Sequence, residues 1–281
     1  MSEEIEQIRQ KAKPLADSSP TSQIREQLKK LGNIERAEHS KRYLKSPYEF
    51  YGLKVPEIRK LVKDYNKLEF HSALNLFDEL WNSGNHEEMS FALYLLGDYV
   101  KKYSEYIWKF LIERIEKAKT WDHVDELSTH ILGVILAEDI RRMNEIKPLF
   151  ESRNSWLRRI SIVSTYPLIK KNKIELTLRL AENLVYDKDI YVQKAAGWML
   201  REVGKKNRLA LREFIIIHIN MKPIAFSYAT EKMPELRIIK KEKIKRDKEE
   251  EANRKLATHS SKPNERKTKT KRQLASQKFK D

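Results

Sequence analysis

Thr120-Trp121-Asp122-His123-Val124-Asp125, Asn154-Ser155-Trp156-Leu157-Arg158-Arg159 and Lys188-Asp189-Ile190-Tyr191-Val192-Gln193-Lys194 open three successive segments of matching length. An earlier segment begins near His86, so the starts fall 34 residues apart throughout. Each segment has room for two short helices and a turn, which is the signature of a helical-repeat array. In such an array, equivalent positions lie side by side on one curved face. Asp125 and Arg159 are 34 apart and Lys194 follows 35 later, so a carboxylate and two cations are expected along one wall. Function is expected on that wall.

Trp121 and Asp125 are four apart and share a helix face, beside an apolar stripe of Val124, Leu127, Ile131 and Ile135. By itself, a carboxylate in a first helical turn is commonly a dipole partner, and a lone Trp is more often core than site. In the next repeat Leu157, Ile160, Ile162 and Val163 form the apolar side. Arg158 and Arg159 are adjacent and cannot face the same way. The register puts Arg159 with Asp125, either at the functional wall or as an internal ion pair. Lys194 and Trp198 share a face of the last repeat. Ala195-Ala196-Gly197 there allows close approach of a partner helix or of a ligand backbone.

The rest of the chain supports an all-α solenoid. It has 281 residues with only 7 Gly and 9 Pro, and no stretch alternates at period two. The absence of Cys excludes disulfides and thiolate metal sites. No apolar run could span a membrane, and the acidic, amphipathic MSEEIEQIRQKAK start has no apolar signal core, so a cytoplasmic, soluble protein is expected. Residues 1–20 read as an N-terminal helical extension, 21–236 as the repeat domain, and 237–281 as a basic, largely disordered tail. A solvated helix to about Ala257 is the alternative for the tail's first half. The net charge is +16, of which residues 237–281 hold +10. Such a surface favours polyanions, with nucleic acid foremost. There is no Gly-rich phosphate loop, no nucleophile elbow and no His/Asp/Glu cluster at metal-ligand spacing, so neither metal nor cofactor is expected. His123 and His130 read as helix surface.

Taken in order, Arg42-Tyr43-Leu44-Lys45, Phe50 to Arg59, Trp121 to Asp125, Trp156 to Arg159 and Val192 to Glu202 resemble the AlkD-type DNA alkylation repair proteins. These are DNA glycosylases with HEAT-like repeats, and the resemblance runs from about Leu28 to Lys232. It implies excision of cationic N3- and N7-alkylated purines from duplex DNA by a monomer, in an open, concave, basic cleft. It makes Asp125 the catalytic carboxylate, Trp121 and Trp198 the cleft walls, and Tyr43 a further cleft aromatic. Arg159 and Lys194 become backbone contacts, with Arg158 beside them. Ser227 stands where many relatives carry an arginine, and the basic tail has no counterpart in the usual pattern. Some relatives with this fold bind DNA without excising bases.

Overall fold

The computed structural model describes residues 19–260, so most of the expected N-terminal extension lies outside the described residues. The chain divides into two compact units, Met1–Lys232 and Met233–Asp281. The first unit is helical throughout its described residues, its only strand-like feature being a single bridge between Glu49 and Asn85.

The leading helices are α1 (Pro20–Leu31), α2 (Ile34–Leu44), α3 (Val55–Val62) and α4 (Phe70–Trp81). Ser19 caps α1 by accepting from the Ser22 amide. Pro20 follows it well, because its fixed φ suits the first helical position and its missing N–H needs no partner there.

The connector between α2 and α3 is tied to the first repeat. Glu49 donates its amide to Gly84 O at 3.0 Å, and the His86 amide donates to Glu49 O at 2.8 Å. The Glu87 carboxylate, 2% exposed, accepts from the amides of Tyr51 (3.0 Å), Gly52 (2.7 Å) and Leu53 (3.1 Å). Gly52 adopts φ +87°, a conformation other residues rarely take, and a Cβ there would meet the Asn33 carbonyl oxygen. A buried carboxylate and a left-handed glycine therefore hold this loop against the array.

Next come α5 (His86–Gly97) and α6 (Val100–Ile112), then α7 (Trp121–Glu126), which runs through a π-helical stretch, Leu127–Leu132, into α8 (Gly133–Glu138). They are followed by α9 (Met143–Phe150), α10 (Ser155–Val163), α11 (Tyr166–Lys170) and α12 (Glu175–Leu184). The unit closes with α13 (Ile190–Lys206), α14 (Arg208–Ile217) and α15 (Pro223–Ala229). The 34-residue period is realised in α5, α7, α10 and α13, which follow N-caps Asn85, Thr120, Asn154 and Asp189. Asn85, Asn154 and Asp189 each accept a main-chain amide from the first turn, whereas the Thr120 side chain makes no cap bond. α5 packs on α7, α7 on α10 and α10 on α13, so their first turns form one row.

The apolar stripes read from sequence are core. Val124, Leu127, Ile131, Ile160, Ile162 and Val163 are all fully buried, as are Trp81 and Trp108. Gly197 settles between its two readings: a Cβ there would lie 2.5 Å from Ala225 O and 2.6 Å from Tyr228 Cβ, so α15 is what approaches.

In the second unit, α16 (Leu236–Ser260) is one continuous helix of 25 residues. The helical alternative is therefore the one realised up to Ser260. Strong helix formers (Lys, Glu, Arg, Ala) dominate it, with Leu236 buried near its start.

Candidate functional site

Counting from the N-caps, the same position in the four repeats is occupied by Ser90, Asp125, Arg159 and Lys194. The first three rungs reach toward the next repeat. Ser90 Oγ lies 2.9 Å from His123 Nε2, and Arg159 grips Asp125 with two parallel bonds, Nε to Oδ1 at 2.9 Å and Nη2 to Oδ2 at 2.8 Å. The Arg159 Nη1 donates to Tyr191 O, in the repeat after its own. Arg159 is 5% exposed and the Asp125 side chain 18%, so this is a nearly desolvated ion pair with one open edge. Burial pushes the Asp125 carboxyl above its ordinary value against the opposing pull of Arg159. A forked guanidinium contact is the geometry of an ionised carboxylate.

The open edge faces a continuous cleft. One cavity, about 500 Å³, is lined by Tyr43, Trp121, Asp125 and Trp198, together with Asp122 and Glu126. A second, about 260 Å³, shares those first residues and adds Arg159, Lys194 and Arg201. Asp122, Asp125 and Glu126 thus line the first cavity, with Arg59 among them, and the cations Arg159, Lys194 and Arg201 line the second. Its aromatic walls are partly exposed and cross-braced. Tyr43 meets Trp121 edge-on with ring centroids 6.1 Å apart, and Tyr166 supports Trp198 at 5.8 Å. Tyr43 is 67% exposed, and Lys194 Nζ sits 5.8 Å from the Tyr191 ring centroid. The π-helical stretch begins immediately after this carboxylate, and Thr129 Oγ1 donates to Asp125 O at 2.6 Å. Such widened turns recur at functional sites.

Asp125, Trp121, Trp198, Arg159, Lys194 and Tyr43 thus converge. Arg158 does not. It is 9% exposed, forks Asp187 at 2.6 and 2.9 Å and donates to Ser152 O and Arg153 O. Expected among the DNA contacts, it is instead an internal brace of its repeat, because the rotation of one residue along α10 carries it away from the wall.

Two further corrections concern histidines. His123 is buried rather than on the surface, and burial holds its imidazole neutral, down to about 3. His86 Nε2 lies 2.8 Å from Asp122 Oδ2 and its ring stacks on His123 at 4.1 Å. Burial raises the Asp122 carboxyl, but the bond and charge of His86 outweigh it, and the group titrates well below the usual carboxylate range. His86, Asp122 and His123 are the described residues that could gather round a metal ion, a grouping their sequence spacing hid. Stacked rings hold their in-plane lone pairs in near-parallel planes, and His123 Nε2 already contacts His86 O and Ser90 Oγ. The cluster reads as an inter-repeat tie for the turn that carries Trp121 and Asp125.

Sequence reading also missed Arg59, which stacks on Tyr94 at 3.9 Å and forks Glu126 at 2.9 Å on the cleft wall. It lay inside the quoted Phe50–Arg59 stretch, and no periodicity marked it.

Fold and site together define a helical-repeat protein with a buried, arginine-held carboxylate between tryptophans. Residues 24–233 match the family model of the DNA alkylation repair enzyme, and the chain belongs to that family, with a role in the repair of alkylated DNA. A solved structure described as a predicted DNA alkylation repair enzyme from Enterococcus faecalis is similar in fold, with TM-score 0.64 and 22% identity over 72% of this chain and 96% of its own. AlkD2 from Streptococcus mutans aligns with TM-score 0.49 and 21% identity over 63% of this chain and 89% of its own. No curated protein matches the chain. Among the described residues, no helix is long and apolar enough to cross a membrane.

Proposed function

We propose that this protein is a monofunctional DNA glycosylase of the HEAT-like type, hydrolysing the N-glycosidic bond of cationic N3- and N7-alkylated purines in duplex DNA. The observation that carries the reading is the Asp125 carboxylate, held by Arg159 at 2.8–2.9 Å and open to a cleft walled by Trp121 and Trp198.

Alkylation places a positive charge on the purine and makes it a good leaving group. As the C1′–N9 bond breaks, its electron pair neutralises the base and positive charge develops on the deoxyribose. A carboxylate already fixed beside that carbon stabilises the charge without reorganising, and such preorganised groups contribute about 3–4 kcal/mol. Water then adds to C1′ and releases its proton, for which Asp125 is the near acceptor. Tryptophan faces favour a cationic over a neutral base by about 0.5–2 kcal/mol. Tyr43, exposed at the rim, and Lys194, on the cationic side, are the backbone contacts in this reading. Arg159 serves the site chiefly by orienting Asp125. No lysine lies buried in the cleft, so no Schiff-base lyase step belongs to the mechanism. No cofactor enters it.

The test is release of 7-methylguanine from methylated duplex by purified protein and by Asp125→Asn. Release by the wild type and its loss in the variant support the reading. Binding to alkylated or distorted duplex with no release by either protein would make it a non-catalytic DNA binder. Absence of both would leave a protein-interaction scaffold.

A further inference from the structure

α16 takes no part in the excision chemistry, and its charges are not evenly distributed. From Arg237 to Arg254 the apolar residues are Ile238, Ile239, Ile244 and Ala252, and the three isoleucines do not share a side; a helix without an apolar side is held by ion pairs or by something it binds. At 3.6 residues per turn, Arg237, Lys241, Lys245 and Lys248 fall on one face, and all are exposed. Glu242 and Glu250 fall round the other side together with Lys243, Arg246 and Arg254, while Glu249 and Glu251 flank the stripe, so the stripe itself holds no acid. Lys245 has one acidic neighbour, Glu249 at 3.9 Å, but both side chains are well exposed, and such pairs contribute little. The stripe is about 16 Å long at about 1.5 Å per residue. Its cations are about 6 Å apart, close to every second phosphate of one DNA strand, whose phosphates repeat at about 3.4 Å.

We infer that this face of α16 is a sequence-independent binding site for the phosphate backbone of duplex DNA. The partner follows from the helix. A membrane-surface helix sets a broad apolar face against its basic one, whereas here Ile238, Ile239 and Ile244 fall on three different sides of the helix and the far side carries glutamates. Duplex DNA is the polyanion that the proposed function supplies, and in that choice the inference rests on that reading.

The experiment compares two full-length variants of equal charge change: Lys241→Gln/Lys245→Gln/Lys248→Gln on the stripe, and Lys243→Gln/Arg246→Gln/Arg254→Gln off it. Glutamine retains helix propensity, which circular dichroism checks. Binding to undamaged duplex is measured across salt concentrations. The stripe variant is expected to bind more weakly at low salt, with a salt slope smaller by about two to three counterions, and the off-stripe variant to stay close to wild type. An unchanged slope in the stripe variant, or equal loss in both, overturns the inference. So does intact duplex binding with lost binding to anionic vesicles or to single-stranded RNA. Release of 7-methylguanine at saturating protein is read in parallel. If the wild type releases none, the excision reading fails while the binding comparison still decides the role of the stripe.

Discussion

Asp125 is asked to be charged in a place that disfavours charge, and Arg159 makes that possible. Because burial raises the carboxyl above its ordinary value, base release should be lost as pH falls at a point above the ordinary aspartate range. Arg159→Lys keeps the cation but removes the fork, so the acid limb of the release profile should move further upward; an unmoved limb would mean that Asp125 is not the titrating group. Asp125→Asn should lower single-turnover release by about 2–4 kcal/mol, roughly 30- to 1000-fold. It also leaves a nearly buried guanidinium without its counter-charge, so the melting temperature should drop too. Near-wild-type release would end the catalytic assignment. Arg159→Ala should lower stability while changing the salt slope of duplex binding by less than one counterion, because the guanidinium is 5% exposed and turned inward. His123 offers an independent check. Its folded value of about 3 lies below the ordinary 6.5, so the unfolded chain takes up a proton that the folded chain refuses. Stability should therefore fall as pH drops below about 6.5, and His123→Gln should flatten that dependence in thermal melts from pH 7 to 5.

At the level of elements, the site is assembled from the first turns of neighbouring helices, so its geometry depends on how closely those helices pack. Gly197 is the sharpest test. A Cβ at that position would press on the Ala225 carbonyl and on the Cβ of Tyr228, which lines the cleft. Gly197→Ala should destabilise by about 1–3 kcal/mol, and release should fall with it. A melting temperature equal to wild type would show that α15 can retreat freely. Trp121 and Trp198 are partly exposed, unlike the core residues Trp81 and Trp108. Trp121→Ala and Trp198→Ala should therefore weaken release of cationic bases while keeping the helical circular-dichroism signal. Collapse of that signal in either variant would make the residue core after all.

For the whole molecule, the division at Lys232 and Met233 separates the site-bearing repeats from α16. Every residue placed in the cleft lies in the first unit. A chain ending before Lys240 should keep its melting temperature and its saturated single-turnover release, and lose duplex affinity chiefly at low salt, where screening is weakest. Unfolding of that truncation, or loss of saturated release, would show that the basic segment contributes to the fold or to the chemistry.

The repeat period, the helical class, the core stripes and the register of Asp125, Arg159 and Lys194 were all legible in the sequence. Each follows from local spacing: a 34-residue unit and a 3.6-residue turn together determine which side chains face the same way. Other features belong to tertiary structure because they depend on contacts between repeats. Register placed Arg159 beside Asp125, but that Arg158 braces the fold rather than reaching DNA was decided only by the position of Asp187. His86 and Asp122 are 36 residues apart and come into hydrogen-bond contact only when α5 and α7 stack. Gly197 could have served a ligand or a helix until Ala225 filled the space. Burial, and with it the charge state of Asp125 and His123, is a property of the packed array, since desolvation exists only once neighbouring repeats have excluded water.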